Sequence, residues 1–330
     1  MQLPQDIKHL AILMPSWVGD VVMASCVWKL ARKKYPSAKI TAVIRPHLAP
    51  LLEGIQDFDA VLSLDMKTSV FKAAKELKHI QADAIILLPN SFRAATIARL
   101  ANIQFRCGYA RDRRSWLLTN RVQVTQQNEP TPTSDYYLRL ANIAFGMSET
   151  STLPSFVTQG PAETILSGYA KPIVLLVAGA SKPEKRWDPV SFAIVADALS
   201  NIGATCCAIG SPDEHELVQK IVAAANSPIH DLTRSGVTLS TLQSVIAHAD
   251  LMITNDTGPR HLAVACGTPT ITLFGPTDYR WTKYDCGHDI ALLADPFLPE
   301  HLVADSNPQR CSINNIPPSD VIETAKRIIS

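Results

Sequence analysis

Short apolar runs alternate with longer helical patterns along most of the chain, and this alternation constrains the fold more than any other feature. The runs HLAILM (9–14), KITAVI (39–44), AIILL (84–88) and PIVLLVAG (172–179) are apolar at consecutive positions, as in strands buried on both faces. Segments with helical periodicity follow each of them. The pattern therefore predicts an α/β protein with parallel sheets covered by helices on both sides.

The length of the chain predicts two domains. With 330 residues, of which 46% are hydrophobic, the chain is longer than one core usually grows. The alternation is interrupted between about 125 and 170, where Gln, Asn, Thr, Ser, Pro and Gly accumulate around one helical segment (135–146), so we expect the linker there. The predicted domains are residues 1–160 and 161–330, two Rossmann-like halves in tandem. A C-terminal helix at about 319–329 is a candidate to pack back on the first domain.

Charge, cysteine content and hydropathy exclude several classes of protein. Lys and Arg (31) nearly balance Asp and Glu (30), which argues against a protein that coats nucleic acid. Seven irregularly spaced cysteines without a C-x-x-C motif favour reduced thiols over a zinc site or a disulfide framework. No apolar run approaches the roughly 20 residues of a membrane span, and a signal peptide pattern is absent. We expect a cytoplasmic chain that still contacts a membrane surface.

The corners that follow the strands carry the candidate site residues, because ligands of open α/β sheets bind beyond the carboxyl ends of the strands. In MPSWVGD (14–20), Gly19 permits a tight turn and Asp20 stands where a helix begins. Two interpretations of Asp20 remain open. Its carboxylate either caps the backbone N–H groups of that helix or is free to take a proton from a ligand.

A second corner, in ITNDTGPRHLAVACGTPTITLFGPTD (253–278), opens a helix near Thr257 and Gly258. The first N–H groups of a helix and the positive end of its dipole form a natural site for phosphate. Asp256 cannot face a phosphate favourably, so it is expected to contact a hydroxyl or to orient the loop. His261, early in the same helix, is either a ligand contact or a satisfied structural histidine.

Two further corners of the second half carry charge. The segment AGASKPEKRWD (178–188) offers Ser181, Lys182, Lys185 and Arg186, which form either a solvated basic loop or an anion site. The segment IGSPDEHE (209–216) ends a strand at Gly210 and then presents two acids, Glu214 and Glu216. One of these acids is a candidate to accept hydroxyls from a ribose, although capping of a helix explains acids at this place equally well.

The segment 91–121 is rich in arginine. It carries seven arginines against one acid, Asp112, in an otherwise neutral protein; they stand at positions 93, 99, 106, 111, 113, 114 and 121. This imbalance indicates an anionic partner. Neither G-x-G-x-x-G nor G-x-x-x-x-G-K-[ST] occurs in the chain, so hydride transfer and P-loop ATP hydrolysis lose their usual phosphate-binding motif.

The corners, in this order, resemble those of glycosyltransferase family 9, the heptosyltransferases. The resemblance lies in PSWVGDVVMA, LPNSFRAATIARLANIQFRCGYARDRRSWLL, KRW, TNDTGPRHLAVACGTPTITLFGPTD and INNIPPSDVIETAKRI, and it covers most of the chain. It implies a GT-B fold, in which two Rossmann-like doubly wound domains face a cleft. It also implies inverting transfer of a heptose from ADP-heptose to the inner core of lipopolysaccharide, with no cofactor and no required metal.

The resemblance assigns roles by position. Asp20 matches the catalytic base and Lys185 the residue near the donor phosphates. The other donor-binding candidates are Ser181, Lys182, Arg186, Gly210, Glu214, Asp256, Thr257, Gly258 and His261, and slippage by two positions would exchange Glu214 for Glu216. The candidates for binding the acceptor are Ser16, Trp17, Asn90, Arg93, Arg111 and Arg114. The helical pattern near 69–80 and the arginine-rich segment favour peripheral contact with the inner face of the inner membrane.

Arg260 departs from the family pattern, because GPRH is an uncommon filling of the G-x-x-H motif. Arg260 is expected either to add a phosphate contact or to face solvent. Three rival functions remain at this stage: a transferase of the same family with another donor or acceptor, a catalytically inactive nucleotide-binding protein, and an NAD-type oxidoreductase.

Overall fold

The computed structural model of the chain describes residues 2–124, 130–150, 153–155, 165–295 and 308–330. The chain divides into two compact units, Met1–Pro154 and Ser155–Ser330. This division falls within the predicted linker, whereas the predicted boundary between residues 160 and 161 lies outside the described residues.

A parallel six-stranded sheet forms the centre of the first unit. Its strands are β1 (His9–Leu13), β2 (Lys39–Ile44), β3 (Ala60–Ser63), β4 (Ala84–Leu87), β5 (Phe105–Tyr109) and β6 (Asn120–Val122). Across the sheet they run in the order β3-β2-β1-β4-β5-β6, and every neighbouring pair is parallel. The α-helices are α1 (Val18–Met23), α2 (Ser25–Lys34), α3 (Val70–Lys78), α4 (Phe92–Leu100) and α5 (Thr133–Phe145).

The second unit is built on a second parallel six-stranded sheet. Its strands are β7 (Ile173–Val177), β8 (Thr205–Ala208), β9 (Ile229–Asp231), β10 (Leu251–Asn255), β11 (Thr270–Phe274) and β12 (Asp289–Leu293). Their order is β12-β11-β10-β7-β8-β9, again with parallel neighbours throughout. The α-helices are α6 (Pro189–Ser200), α7 (His215–Ala224), α8 (Leu239–His248), α9 (Gly258–Cys266) and α10 (Pro318–Ile329).

The central strands are buried at every position, as their apolar sequences predict. This holds for β1, β4, β7, β10 and β11. In β10, for example, Ile253 is fully buried and stands opposite Leu176 on one side and Ile271 on the other. The edge strand β3 instead alternates between half-buried and exposed residues, because one of its neighbours is solvent.

The structure differs from the sequence prediction in one helix and three strands. The helix predicted from about 20 to 34 is two helices, α1 and α2, which meet at Ala24. Strands β5, β6 and β12 were not predicted. Arg106 and Gly108 interrupt the apolar pattern of β5, Arg121 interrupts that of β6, and the apolar part of β12 is only four residues long. The C-terminal helix, α10, has its buried residues Val321 and Ala325 in the core of the second unit, which also contains Trp187 and Phe192.

Candidate active site

Each sheet has a topological switch point, the place where the crevice of a doubly wound sheet binds its ligand. In the first sheet it lies between β1 and β4, and in the second between β7 and β10. Asp20 follows β1 and Asn90 follows β4. Lys185 follows β7 and Asp256 follows β10. Three of the four corners singled out from the sequence therefore border the two switch points, whereas the corner at 209–216 follows β8.

Asp20 is a half-buried carboxylate without a partner among the residues that the structure describes. It lies in the first turn of α1, but Trp17 is the capping residue and no side chain caps this helix end. Burial raises the pKa of Asp20 to about 6. The pKa of Tyr137 on α5 is raised mainly by burial and next by the charge of Asp20, so the two side chains are neighbours. Of the two interpretations of Asp20, the observed geometry favours a carboxylate free to take a proton.

The residues after β4 form a hydrogen-bonded cluster around Asn90. The Asn90 side chain donates from Nδ2 to the Tyr136 hydroxyl over 2.7 Å and accepts at Oδ1 from Arg114 Nη2 over 3.0 Å. Tyr136 stacks on Tyr109, with 4.0 Å between the ring centroids. These contacts fix the Asn90 amide at the switch point of the first sheet. Tyr136 belongs to this cluster and was missed in the sequence, where it stands 46 positions from its partner.

Arg114 requires a correction, because it is fully buried. Its guanidinium donates to the carbonyls of Pro89 and Tyr109 in addition to Asn90. It therefore orients Asn90 rather than contacting an acceptor directly. Arg93 also donates inward, from Nε to the Met66 carbonyl over 2.8 Å and from Nη2 to the Thr68 carbonyl.

Other predicted acceptor residues remain accessible at the surface of the first unit. Arg111 is exposed. Burial raises the pKa of Tyr136, and a hydrogen bond with Arg111 acts in the opposite direction, so Arg111 lies at the rim of the Asn90 cluster. Trp17 is 68% exposed and Ser16 is half-buried. Asp112 and Arg113, which follow Arg111, both have left-handed backbones with φ of 54° and 58°, a conformation that non-glycine residues adopt rarely.

In the second unit, Asn255 fastens the loop that carries Lys185. The Asn255 side chain donates from Nδ2 to the Ala178 carbonyl over 2.7 Å and accepts from the Trp187 amide over 3.3 Å. The Trp187 indole in turn donates to the Ile316 carbonyl over 3.1 Å. The loop 178–187 is thus held to the end of β10 at both of its ends. The role of Asn255 was missed because a polar residue that ends a strand has no signature of its own.

Lys185 and Asp256 meet at the switch point of the second sheet. Lys185 Nζ lies 3.1 Å from Asp256 Oδ2, and Arg260 Nη1 lies 3.2 Å from Asp256 Oδ1. Burial alone would raise the pKa of Asp256, but Lys185 and Arg260 hold it below its usual value. Asp256 is therefore an anion with a cation on each oxygen. Arg260 is 1% exposed and pairs with carboxylates, so both sequence expectations for it, a phosphate contact and a solvent-facing side chain, are corrected.

The start of α9 lies beside this pair. Thr257 is the capping residue, its side chain makes no capping bond, and Gly258 and Pro259 open the first turn. His261 is buried, and its Nδ1 shares a 2.6 Å hydrogen bond with the Tyr284 hydroxyl. Burial and the neighbouring Arg260 lower the pKa of His261 to about 3, so this histidine is neutral near pH 7. These contacts correspond to the structural interpretation of His261.

The remaining donor candidates surround Gly179. Glu214 lies directly against it, and its Oε2 accepts from the amide and the hydroxyl of Ser211 over 2.8 and 2.9 Å. Gly210 packs against the same glutamate. Glu216 is exposed in the first turn of α7. The two acids thus differ in place: only Glu214 stands beside the loop that follows β7.

The other residues of that loop are more open. Ser181 and Lys182 are exposed, and Arg186 donates from Nε to the Ala180 carbonyl over 2.9 Å. Among the described residues, His, Cys, Asp and Glu side chains form no group of three or more that could hold a metal ion. Likewise, the described helices include none that is long and apolar enough to cross a membrane.

Two doubly wound parallel units, the second with a cationic corner beside a helix N-terminus, define the GT-B class of nucleotide-sugar transferases. The comparison with known proteins is more specific. The sequence pattern of glycosyltransferase family 9 (heptosyltransferase) matches residues 70–293, about two thirds of the chain, and the chain belongs to this family. The matched range includes Lys185 and Asp256 but begins after Asp20.

Similar proteins cover nearly the whole chain. Lipopolysaccharide heptosyltransferase 2 of Salmonella typhimurium is 27% identical over 294 residues, which are 83% of this chain and 84% of that protein. Lipopolysaccharide heptosyltransferase 3 of Escherichia coli is 25% identical over 329 residues, 94% of this chain and 96% of that protein.

Solved structures show the same fold. The ADP-heptose lps heptosyltransferase II of Escherichia coli superposes with a TM-score of 0.83 at 24% identity, covering 97% of this chain and 98% of that one. A family 9 glycosyl transferase from Veillonella parvula superposes with a TM-score of 0.85 at 21% identity, covering 99% of both chains. The expected GT-B fold and family are thereby confirmed.

Proposed function

We propose that this protein is an inverting heptosyltransferase that transfers a heptose from ADP-heptose to the inner core of lipopolysaccharide or a related glycan. Membership of family 9 and the names of its relatives support the donor and the acceptor. The observation that carries the reaction is the half-buried Asp20 carboxylate at the switch point of the first sheet, which has no partner among the described residues.

Asp20 is the proposed general base. The acceptor hydroxyl oxygen attacks the anomeric carbon of the donor while the bond from that carbon to the diphosphate oxygen breaks, and the hydroxyl proton passes to Asp20. The products are the glycosylated acceptor and ADP. A carboxylate whose pKa is raised to about 6 binds the proton more strongly than an ordinary aspartate and is still ionised at neutral pH.

Lys185 and the start of α9 are proposed to receive the negative charge that develops on the departing ADP. Lys185 is the partly exposed cation of the second switch point, and the Thr257–Gly258 turn presents N–H groups and the positive end of the helix dipole. These groups supply positive charge without a metal ion. We therefore expect transfer to proceed unchanged in the presence of EDTA, and a loss of activity that Mg²⁺ restores would contradict this part of the proposal.

The central experiment compares Asp20→Asn with a matched control, Asp6→Asn, an exposed aspartate of the same unit. We expect Asp20→Asn to bind ADP as the native protein does but to lose about 10²- to 10⁴-fold in transfer rate. Native turnover by Asp20→Asn would remove Asp20 from the mechanism.

A thermal-shift screen with ADP, UDP, GDP, CDP and NAD distinguishes the rival functions, because the proposal predicts selective stabilisation by ADP.

We also propose that the first unit contacts the anionic inner leaflet, where a lipid-linked acceptor is presented. Phe71 on α3 is 77% exposed, Phe92 on α4 is 46% exposed, and Trp116 is 65% exposed with its ring 6.1 Å from that of Phe92. Helices α3 and α4 pack together, and exposed lysines stand near Phe71 in the sequence, at positions 67, 72 and 75. Exposed aromatic rings beside lysines are typical of surfaces that bind anionic lipid headgroups.

Vesicle sedimentation tests this contact. The native protein is expected to sediment with vesicles of phosphatidylglycerol and phosphatidylethanolamine, less so at high salt, and poorly with phosphatidylcholine alone. Phe71→Ser combined with Trp116→Ser should reduce binding, whereas Trp281→Ser, a half-exposed tryptophan of the second unit, should not. Equal sedimentation of both variants would exclude this surface.

A further inference from the structure

A row of four alternating charges extends inward from Lys185. Lys185 pairs with Asp256, Asp256 pairs with Arg260, and Arg260 Nη2 lies 2.7 Å from Asp289 Oδ2. The exposed fraction of the side chain falls from 22% for Lys185 to 9% for Asp256, 1% for Arg260 and 2% for Asp289. The charges of the row sum to zero, and Lys185 is the member that solvent reaches best.

Arg260 is enclosed between Asp256 and Asp289 in this row. Its guanidinium carbon lies 4.8 Å from the centroid of the Phe274 ring and 5.3 Å from that of Tyr284. Nη1 also donates to the Thr282 hydroxyl over 3.0 Å, and Asp289 accepts from the Thr272 hydroxyl over 2.6 Å. With its side chain enclosed in this way, Arg260 has no path to a ligand. It acts on the site only through Asp256.

We propose that Arg260 is a positioning residue that keeps Asp256 charge-balanced, so that Lys185 can leave Asp256 and pair with the diphosphate of a nucleotide donor. This inference rests on the proposed function of the second switch point. It assigns a role to Arg260, at which the chain departs from the usual family pattern. In this view Lys185 pairs with Asp256 when no donor is bound and with the donor diphosphate when one is.

The physical reason is competition for one cation. A nearly buried carboxylate that loses its only cation carries a large desolvation penalty, so an Asp256 paired with Lys185 alone would hold that lysine against an arriving phosphate. Arg260 removes this competition because it remains on Asp256 Oδ1 when Lys185 departs from Oδ2. Asp289 supplies the second anion that keeps the arginine itself balanced in the interior.

The test measures ADP affinity by calorimetry and thermal stability side by side. Arg260→Met should bind ADP roughly tenfold more weakly and also lose stability, since residues of one ion-pair network are strongly coupled. Pairing Arg260→Met with Asp289→Leu removes the stranded carboxylate and should restore much of the stability while ADP affinity stays low. Recovery of affinity together with stability would reduce Arg260 to a structural residue and overturn the inference.

Two further variants test the route through Lys185. In a Lys185→Met background, Arg260→Met should cause no further loss of ADP affinity, whereas additive losses would contradict an action through that lysine. Asp289→Asn, which leaves Arg260 to Asp256 alone, should bind ADP at least as tightly as the native chain, and weaker binding would also contradict the proposal. If the native protein itself fails to bind ADP, the proposed function fails rather than this inference alone.

Discussion

The carboxylate of Glu214 lies so close to the backbone of Gly179 that a methyl group at position 179 would come within 2.0 Å of Glu214 Oε1. Gly179→Ala is therefore expected to push this carboxylate away from the end of β7. If Glu214 accepts a ribose hydroxyl, ADP binding should weaken by about tenfold, as for loss of one hydrogen bond to a charged group.

Glu214→Gln and Glu216→Gln form the matched pair for this prediction. The first should weaken ADP binding and the second should leave it unchanged, because Glu216 is exposed in the first turn of α7. Calorimetric titration of ADP into each variant provides the measurement. A larger loss for Glu216→Gln would transfer the ribose contact to that residue.

The pKa of Asp20 predicts the pH dependence of transfer. Burial raises this pKa to about 6, and a general base must be ionised to accept a proton. The rate kcat/KM should therefore rise with pH through a limb centred near pH 6 and level off above pH 7. Asp20→Asn should abolish this limb. A profile that is flat between pH 5 and pH 7 in the native enzyme would exclude Asp20 as the titrating base.

The same carboxylate is expected to lower the stability of the fold. The folded state binds the Asp20 proton more tightly than the unfolded state, so stability falls as pH rises from about 4 through 6. The loss is absent at lower pH, where both states are protonated, and is complete above about pH 7. Urea unfolding at pH 7.5 should show Asp20→Asn to be more stable than the native chain by roughly 3 kcal/mol. A destabilised Asp20→Asn would indicate a hydrogen-bonding role.

Arg114 and Arg111 are three positions apart but should respond oppositely to replacement by methionine. Arg114→Met removes the hydrogen bonds to the half-buried Pro89 carbonyl and Asn90 amide and one of the two donors to the buried Tyr109 carbonyl, so it should lower stability by about 1 to 3 kcal/mol. Arg111→Met removes an exposed charge, so it should preserve stability and raise KM for an anionic acceptor. Thermal unfolding together with acceptor kinetics separates the two effects, and equal stabilities would refute the structural role of Arg114.

The lowered pKa of His261 leads us to expect that the fold is sensitive to acid. This pKa is lowered to about 3 by burial and by Arg260, so below pH 6.5 the unfolded chain takes up a proton that the folded chain does not. This one group should reduce the free energy of unfolding by about 1.4 kcal/mol per pH unit as pH falls from 6.5 towards 3. His261→Gln should show a shallower decline between pH 6.5 and 5 in urea unfolding. Parallel curves would mean that His261 takes up its proton in the folded chain over the same pH range as in the unfolded chain.

The sequence predicts the central strands well and the outer ones poorly, for a physical reason. Strands such as β1 and β10 are apolar at every position because both faces are covered. Strand β5 contains Arg106, whose guanidinium is buried and donates to the carbonyls of Leu117 and Ile103. A buried guanidinium that donates to backbone carbonyls leaves no periodic signal in the sequence, so the pattern suggested a ligand-facing arginine instead.

The sequence likewise predicted some parts of the candidate site and missed others. Corners such as the one at Asp256 could be found because their chemistry lies within a few consecutive residues. The partners that define their electrostatics, Asp289 and Tyr284, come from β12 and the loop before it and contact Arg260 only in the folded unit. A sequence pattern indicates where strands end, but it does not indicate which side chains from distant positions meet there.

Both sheets use the same strand order, and each unit closes its own core around it. The loops at the carboxyl edge of one sheet can therefore change in length and sequence without disturbing the packing of the other. The acceptor candidates lie in the first unit and the donor candidates in the second, so under the proposed function the preference for a glycan and the preference for an activated sugar can change as two separate traits. Chimeras that exchange only one set of loops are a rational starting point for engineering either preference.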